Sequence, residues 1–224
     1  MSPPATPVLV DDEALPGWVR LRSWLGVFPL GVFVVVHFAV QSSAMGGFWS
    51  YEATVGWSRS LPGLWLAELL LLYLPLGFHV ASGLYLASRR LRRGPGLRVL
   101  GPVHLQALTG IILLGFLAVH LWQFRVGWWQ GTLDPVDFYD ELCAGLSSTV
   151  AGGVPLLAVL YLAGVSAAAF HLAQGLYGLA GRRLAERRRP SLARGCVLLG
   201  IVLFCLGSAI VIDLATGSLV MVAG

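Results

Sequence analysis

Five stretches of this 224-residue chain run for eighteen or more positions with almost no charge, and the polar residues gather between them rather than along one face. Apolar runs of that length read as spanning helices, because about 20 residues rising 1.5 Å each cover a hydrocarbon layer of about 30 Å. Their approximate bounds are 22–44, 61–88, 101–125, 152–181 and 193–215. The expected fold class is all-α: a five-helix membrane bundle forming one domain over 22–224, with a short tail over 1–21. The tail begins MSPPATPVLVDDEALPGW, acidic and proline-rich, the reverse of the basic start of a signal peptide.

Composition strengthens the membrane reading, with 57% hydrophobic and 12% charged residues against about 25% charged in soluble domains. The fifteen basic residues are all arginine, and their placement predicts orientation. Arg89, Arg90, Arg92, Arg93 and Arg98 fill the second loop, and Arg182, Arg183, Arg187, Arg188, Arg189 and Arg194 fill the fourth. With Arg20 and Arg22 before the first run, the positive-inside rule puts the N-terminus and both loops in the cytoplasm and the C-terminus outside. The other face carries Asp134, Asp137, Asp140, Glu141 and a belt of Trp49, Tyr51, Trp57, Trp128 and Trp129. Each arginine cluster abuts a helix end, so it reads as topogenic, and no nucleic-acid partner is expected.

The histidines are the chemistry inside the runs. His37, His79, His120 and His171 fall one to each of the first four, and His104 starts the third. A titratable ring facing lipid is costly, so an intramembrane histidine normally faces the bundle interior and a partner. Counting helical residues from the arginine-rich boundary places His79 and His171 about 15–17 Å deep, and His37 and His120 about 22–24 Å deep. Two imidazoles at equal depth on opposite helices are what six-coordinate haem b requires. A hydrogen-bonded packing histidine is the bland alternative for any one of them, and a proton relay is another, but a relay needs no paired depths. Zinc or copper fits less well, since no thiolate or carboxylate lies at ligand spacing. Gly83 and Gly175 follow His79 and His171 by four residues, on the same helix face, leaving a flat strip for a broad ligand. Cys143, Cys196 and Cys205 have no metal-site spacing and read as packing residues. The chain has no phosphate-binding glycine loop, no nucleophile elbow and no zinc signature.

At RLRSWLGVFPLGVFVVVHFAV (20–40), SLPGLWLAELLLLYLPLGFHVASGLYLA (60–87), HLQALTGIILLGFLAVHLWQFRV (104–126) and GVSAAAFHLAQGLYG (164–178) the chain resembles the five-helix, di-haem cytochrome b anchor of succinate:quinone oxidoreductases. The resemblance covers nearly the whole chain. It implies axial haem ligands at His79 and His171 for a proximal haem and at His37 and His120 for a distal one, the pairing that depth also suggests. It implies a flavoprotein subunit and an iron–sulfur subunit docked on the cytoplasmic side of a bacterial inner membrane, with electrons carried between them and a membrane quinone, menaquinone first among the candidates. Succinate oxidation would then reside on the partners. Other cytochrome b anchors, of fumarate reductase, formate dehydrogenase or hydrogenase, and a histidine-dependent proton-coupled transporter are the alternatives.

Glu68, near the depth of the distal pair and matched by a glutamate in that family, is the candidate catalytic residue for quinone protons; a hydrogen-bonded carboxylate near the interface is the competing reading. Some fumarate-reducing relatives carry a glutamate two residues before the fourth-helix ligand, where this chain has Ala169. Arg22, Ser23, His104 and Gln106, at the cytoplasmic ends of helices one and three, are candidates for haem propionates or a proximal quinone. Lipid phosphate is the alternative for the arginines. Asp213, near the outer end of the fifth run, is expected at the interface.

Overall fold

The computed structural model describes residues 16–92, 102–150 and 152–217, with backbone alone at 90–92 and 102–104. It is all-α, and five of its helical stretches are long and apolar enough to cross a membrane: Gly17–Gly46, Leu64–Arg89, Leu105–Trp129, Leu156–Gly181 and Glu186–Thr216. We refer to them as spans one to five. Spans one and five start well before the apolar runs do. Arginines at a helix end can lie their stems along the apolar surface and keep their heads in water, so the helix continues through them.

Proline shapes two of the spans. Pro29 follows a break at Phe28, where Gly17–Val27 ends and Pro29–Gln41 begins. Phe28 N–H still bonds to the Trp24 carbonyl at 2.8 Å, so the span stays continuous. In span two, a π-helical turn, Glu68–Tyr73, immediately precedes Leu74 and Pro75. Proline has no N–H to give to the carbonyl four residues back and its ring crowds that carbonyl, so the turn before it widens. Span three carries a second π turn, Trp122–Val126.

Span four is the hub, packed along span five on one side and span three on the other. Close approach is possible because glycines lie at the contacts: a Cβ on Gly207 would lie 2.6 Å from Val165 Cγ1, and one on Gly164 would lie 2.4 Å from Phe116 Cγ. Span five turns Val197, Leu198, Ile201 and Val202 outward, exposed as a lipid-facing stripe should be.

The helices Phe48–Arg59 and Phe138–Ser147 follow spans one and three at the tryptophan-rich end. Tyr51, Leu142 and Leu146 pack from them into a core with Tyr161, Val165 and Leu214 of spans four and five. This cap corrects one expectation. Asp213 is 2% exposed, not interfacial, because the Phe138–Ser147 helix folds over the end of span five. Burial, then Cys143, then the Asp213 carboxylate push the Tyr139 hydroxyl on that helix up to about 12.

Candidate functional site

One cavity of about 410 Å³ runs among the five spans, and His37, His79, His120 and His171, on the first four, all line it. The structure brings them together in two pairs. His79 and His171 have ring centres 6.1 Å apart with planes at 73°, and His37 and His120 have centres 5.9 Å apart with planes at 79°. A metal–imidazole bond of about 2 Å on each side, plus roughly 1 Å from each nitrogen to its ring centre, puts two axial imidazoles about 6 Å apart. Both pairs have that separation.

Hydrogen bonds at Nδ1 set the tautomer of three of the rings. His79 Nδ1 lies 3.2 Å from the Arg22 carbonyl oxygen, which can only accept, so Nδ1 carries the proton. His171 Nδ1 lies 3.2 Å from Thr109 Oγ1, and that hydroxyl donates to Leu105 O at 2.9 Å. It therefore accepts from His171. His120 Nδ1 lies 3.1 Å from the Tyr161 hydroxyl, which donates to Gln123 Oε1 at 3.1 Å. In all three rings Nδ1–H is engaged and the Nε2 lone pair is left as the available ligand. The His37 ring stacks on Phe33, centres 5.3 Å apart.

Two glycines that spacing along the sequence does not reveal hold the first pair close. A Cβ on Gly26 would stand 2.5 Å from His79 Cε1, and one on Gly110 would stand 3.3 Å from His171 Cε1. These contacts join different spans, so no periodicity within one helix signals them. Gly83 and Gly175 line the cavity as well. An added Cβ there would meet only Arg22 Nη1 at 3.9 Å and Gln106 Nε2 at 3.8 Å, so the strip beside each histidine is open.

Arg22, Ser23 and Gln106 line the same end of the cavity. Ser23 Oγ donates to the Val19 carbonyl at 3.1 Å. Gln106 Nε2 donates to the His171 carbonyl at 3.2 Å, while its Oε1 is buried and without a partner among the described residues. A guanidinium at that end suits a carboxyl-bearing ligand, whereas the orphaned Gln106 Oε1 can only accept and calls for a donor. The His104 side chain lies outside the described residues.

Glu68 lies apart from the imidazoles, and its partner is Arg125 of span three. Arg125 forms an ion pair with it, and Arg125 Nε donates to the Tyr73 hydroxyl at 2.5 Å. The guanidinium also lies 5.2 Å from the Trp128 ring centre and 5.7 Å from that of Trp129. Glu68 and Tyr73 begin and end one π turn, and Arg125 lies in the other. Tyr73 lines the cavity and so connects the ion pair to it. The partners are 57 positions apart in the chain; the legible signals were two charges in apolar surroundings and a proline in the second run.

Among the described residues no three His, Cys, Asp or Glu side chains converge on one point. Two imidazoles on their own could supply only two nitrogens to a metal, so a group held there would have to bring its remaining donors with it, as a porphyrin does. The chain is a multi-pass membrane protein with two pairs of histidine rings facing one cavity among its spans.

No family model and no solved structure matches the chain. The succinate dehydrogenase cytochrome b558 subunit of Bacillus subtilis (strain 168) is 30% identical over 163 residues, covering 72% of this chain and 76% of that one. The chain belongs to the family of succinate dehydrogenase cytochrome b subunits, membrane subunits of an enzyme complex whose cytochrome carries haem b.

Proposed function

We propose that this chain holds two haems b, His79 with His171 at a proximal site and His37 with His120 at a distal one, and conducts electrons between an iron–sulfur partner and membrane quinone. The observation that carries the reading is the approximately 6 Å spacing of both ring pairs, with Nδ1–H tied back in three of the four rings. The haems would supply one-electron transfer through the bilayer. The chain's own residues supply axial nitrogens, an apolar cavity that excludes water, and, through the Arg22 guanidinium, a contact suited to carboxylates, with Ser23 and Gln106 lining the same end. His104 remains a candidate at that end.

Glu68 is the residue proposed to exchange quinone protons, with Arg125 and Tyr73 holding its carboxylate at the far end of the bundle. The arginine loops face the cytoplasm in this reading, where a flavoprotein and an iron–sulfur subunit dock, and the quinone is menaquinone. The chain then works in succinate oxidation within respiratory complex II.

The experiment is a reduced-minus-oxidised spectrum and redox titration of the purified complex and of four single variants. His79→Ala and His171→Ala are expected each to remove one and the same haem, and His37→Ala and His120→Ala the other. Loss of different haems by the two members of a pair overturns the assignment, and a protein without low-spin b-type haem overturns the reading.

A further inference from the structure

Tyr161 lies on span four, ten residues before His171, and is 6% exposed. Its phenol has one proton, and that proton goes to Gln123 Oε1 at 3.1 Å, an amide oxygen that can only accept. The hydroxyl oxygen is therefore an acceptor for His120 Nδ1–H, also 3.1 Å away. Gln123 sits three residues beyond His120 on span three, inside the π turn Trp122–Val126, whose wider winding re-aims the side chains it carries. Phe116 holds the phenol ring edge-on, with centres 5.0 Å apart at 87°, and stacks on His120 at 5.4 Å and 24°. His79 meets a backbone carbonyl instead, and His171 a threonine hydroxyl.

We propose that Tyr161 is a positioning residue of the distal haem site: its hydroxyl, held as an acceptor by Gln123, fixes His120 as the Nδ1–H tautomer with Nε2 toward His37 and lowers the reduction potential of the distal couple. An acceptor on Nδ1–H moves electron density onto the ring, makes Nε2 the stronger donor and favours the more highly charged state of the metal it ligates. The inference rests on the bis-histidine haem reading above.

The test uses the whole complex with Tyr161→Phe, which removes the hydroxyl and keeps the ring, and with Gln123→Leu, which leaves the hydroxyl but removes the group that orients it. Potentiometric titration of the haem bands and electron paramagnetic resonance of the oxidised haems are the readouts. In Tyr161→Phe both haems are retained, the distal couple shifts to higher potential with an altered low-spin signal, and the proximal couple does not move. Gln123→Leu shifts the distal couple in the same direction by less, because an unoriented phenol is the weaker acceptor. An unmoved distal couple and signal in Tyr161→Phe overturns the proposal, and so does an equal displacement of both couples, which is what a general packing defect produces. If Tyr161→Phe does not assemble, Gln123→Leu decides on the same readouts. A wild-type complex lacking two bis-histidine haems overturns the underlying reading instead.

Discussion

Three of the four imidazoles are oriented through Nδ1 by groups on another span: His79 by a main-chain carbonyl, His171 and His120 by hydroxyls. Only the hydroxyls can be removed by substitution. Thr109→Val leaves His171 Nδ1–H without its acceptor in an apolar cavity, a loss of about 1–3 kcal/mol for a buried donor, and partners of this kind typically affect metal affinity about 10-fold or more. The proximal haem should then be lost faster on dilution in detergent while the distal haem stays; equal retention of both would assign Thr109 to helix packing. Gly26→Ala acts on the same site from the other side, since its Cβ would stand 2.5 Å from His79 Cε1 and the ring must move. Alanine at Gly83 or Gly175 meets only ordinary contacts and should be tolerated, whereas leucine there fills the cavity and should disturb the proximal haem alone. Unchanged spectra and potentials in the leucine variants would show that the strip holds nothing broad.

At the scale of elements, the two π turns matter more than the straight lengths of helix. Glu68–Tyr73 and Trp122–Val126 are where spans two and three each depart from regular winding, and the Glu68–Arg125–Tyr73 cluster joins them. The ion pair is half-buried, with 19% and 27% of the Arg125 and Glu68 side chains exposed. Breaking it should cost between the ~1 kcal/mol of an exposed pair and the ~3 kcal/mol of a buried one. Arg125→Gln should therefore lower thermal stability in detergent more than the double variant Glu68→Gln with Arg125→Gln does, because the double variant leaves no charge unpaired. Glu68→Gln should assemble both haems, keep them reducible through the partner subunits and slow quinone turnover. Normal turnover across the pH range would leave Glu68 as a structural partner of Arg125.

Across the whole molecule, an odd number of spans separates the described ends, so an orientation assigned to one loop fixes all the others. With Cys143, Cys196 and Cys205 replaced by serine, a single cysteine at Ala185 should react with a membrane-impermeant thiol reagent only when the cytoplasmic face is accessible. One at Thr132 should react only from the opposite face. The reverse pattern would place the arginine loops outside and remove the expected docking face for the iron–sulfur partner. The cap of Phe48–Arg59 and Phe138–Ser147 belongs to this scale as well, because it closes the end of the bundle nearest the distal pair and draws Asp213 into the interior.

The class of the molecule and the number of its spans were readable from the order of residues alone. A hydrocarbon layer demands long uncharged helices whatever they pack against, and that demand is written locally. Which of His37, His79, His120 and His171 neighbour each other was legible too, because the helical rise counted along each segment sets which residues of two spans lie level. The packed bundle was needed to show which groups turn three of the rings, that Gly26 and Gly110 make room for two of them, that Arg125 meets Glu68, and that Asp213 is covered. These are contacts between spans, set by the rotation and spacing of packed helices, and the apolar pattern leaves both open because lipid and neighbouring helix accept the same residues.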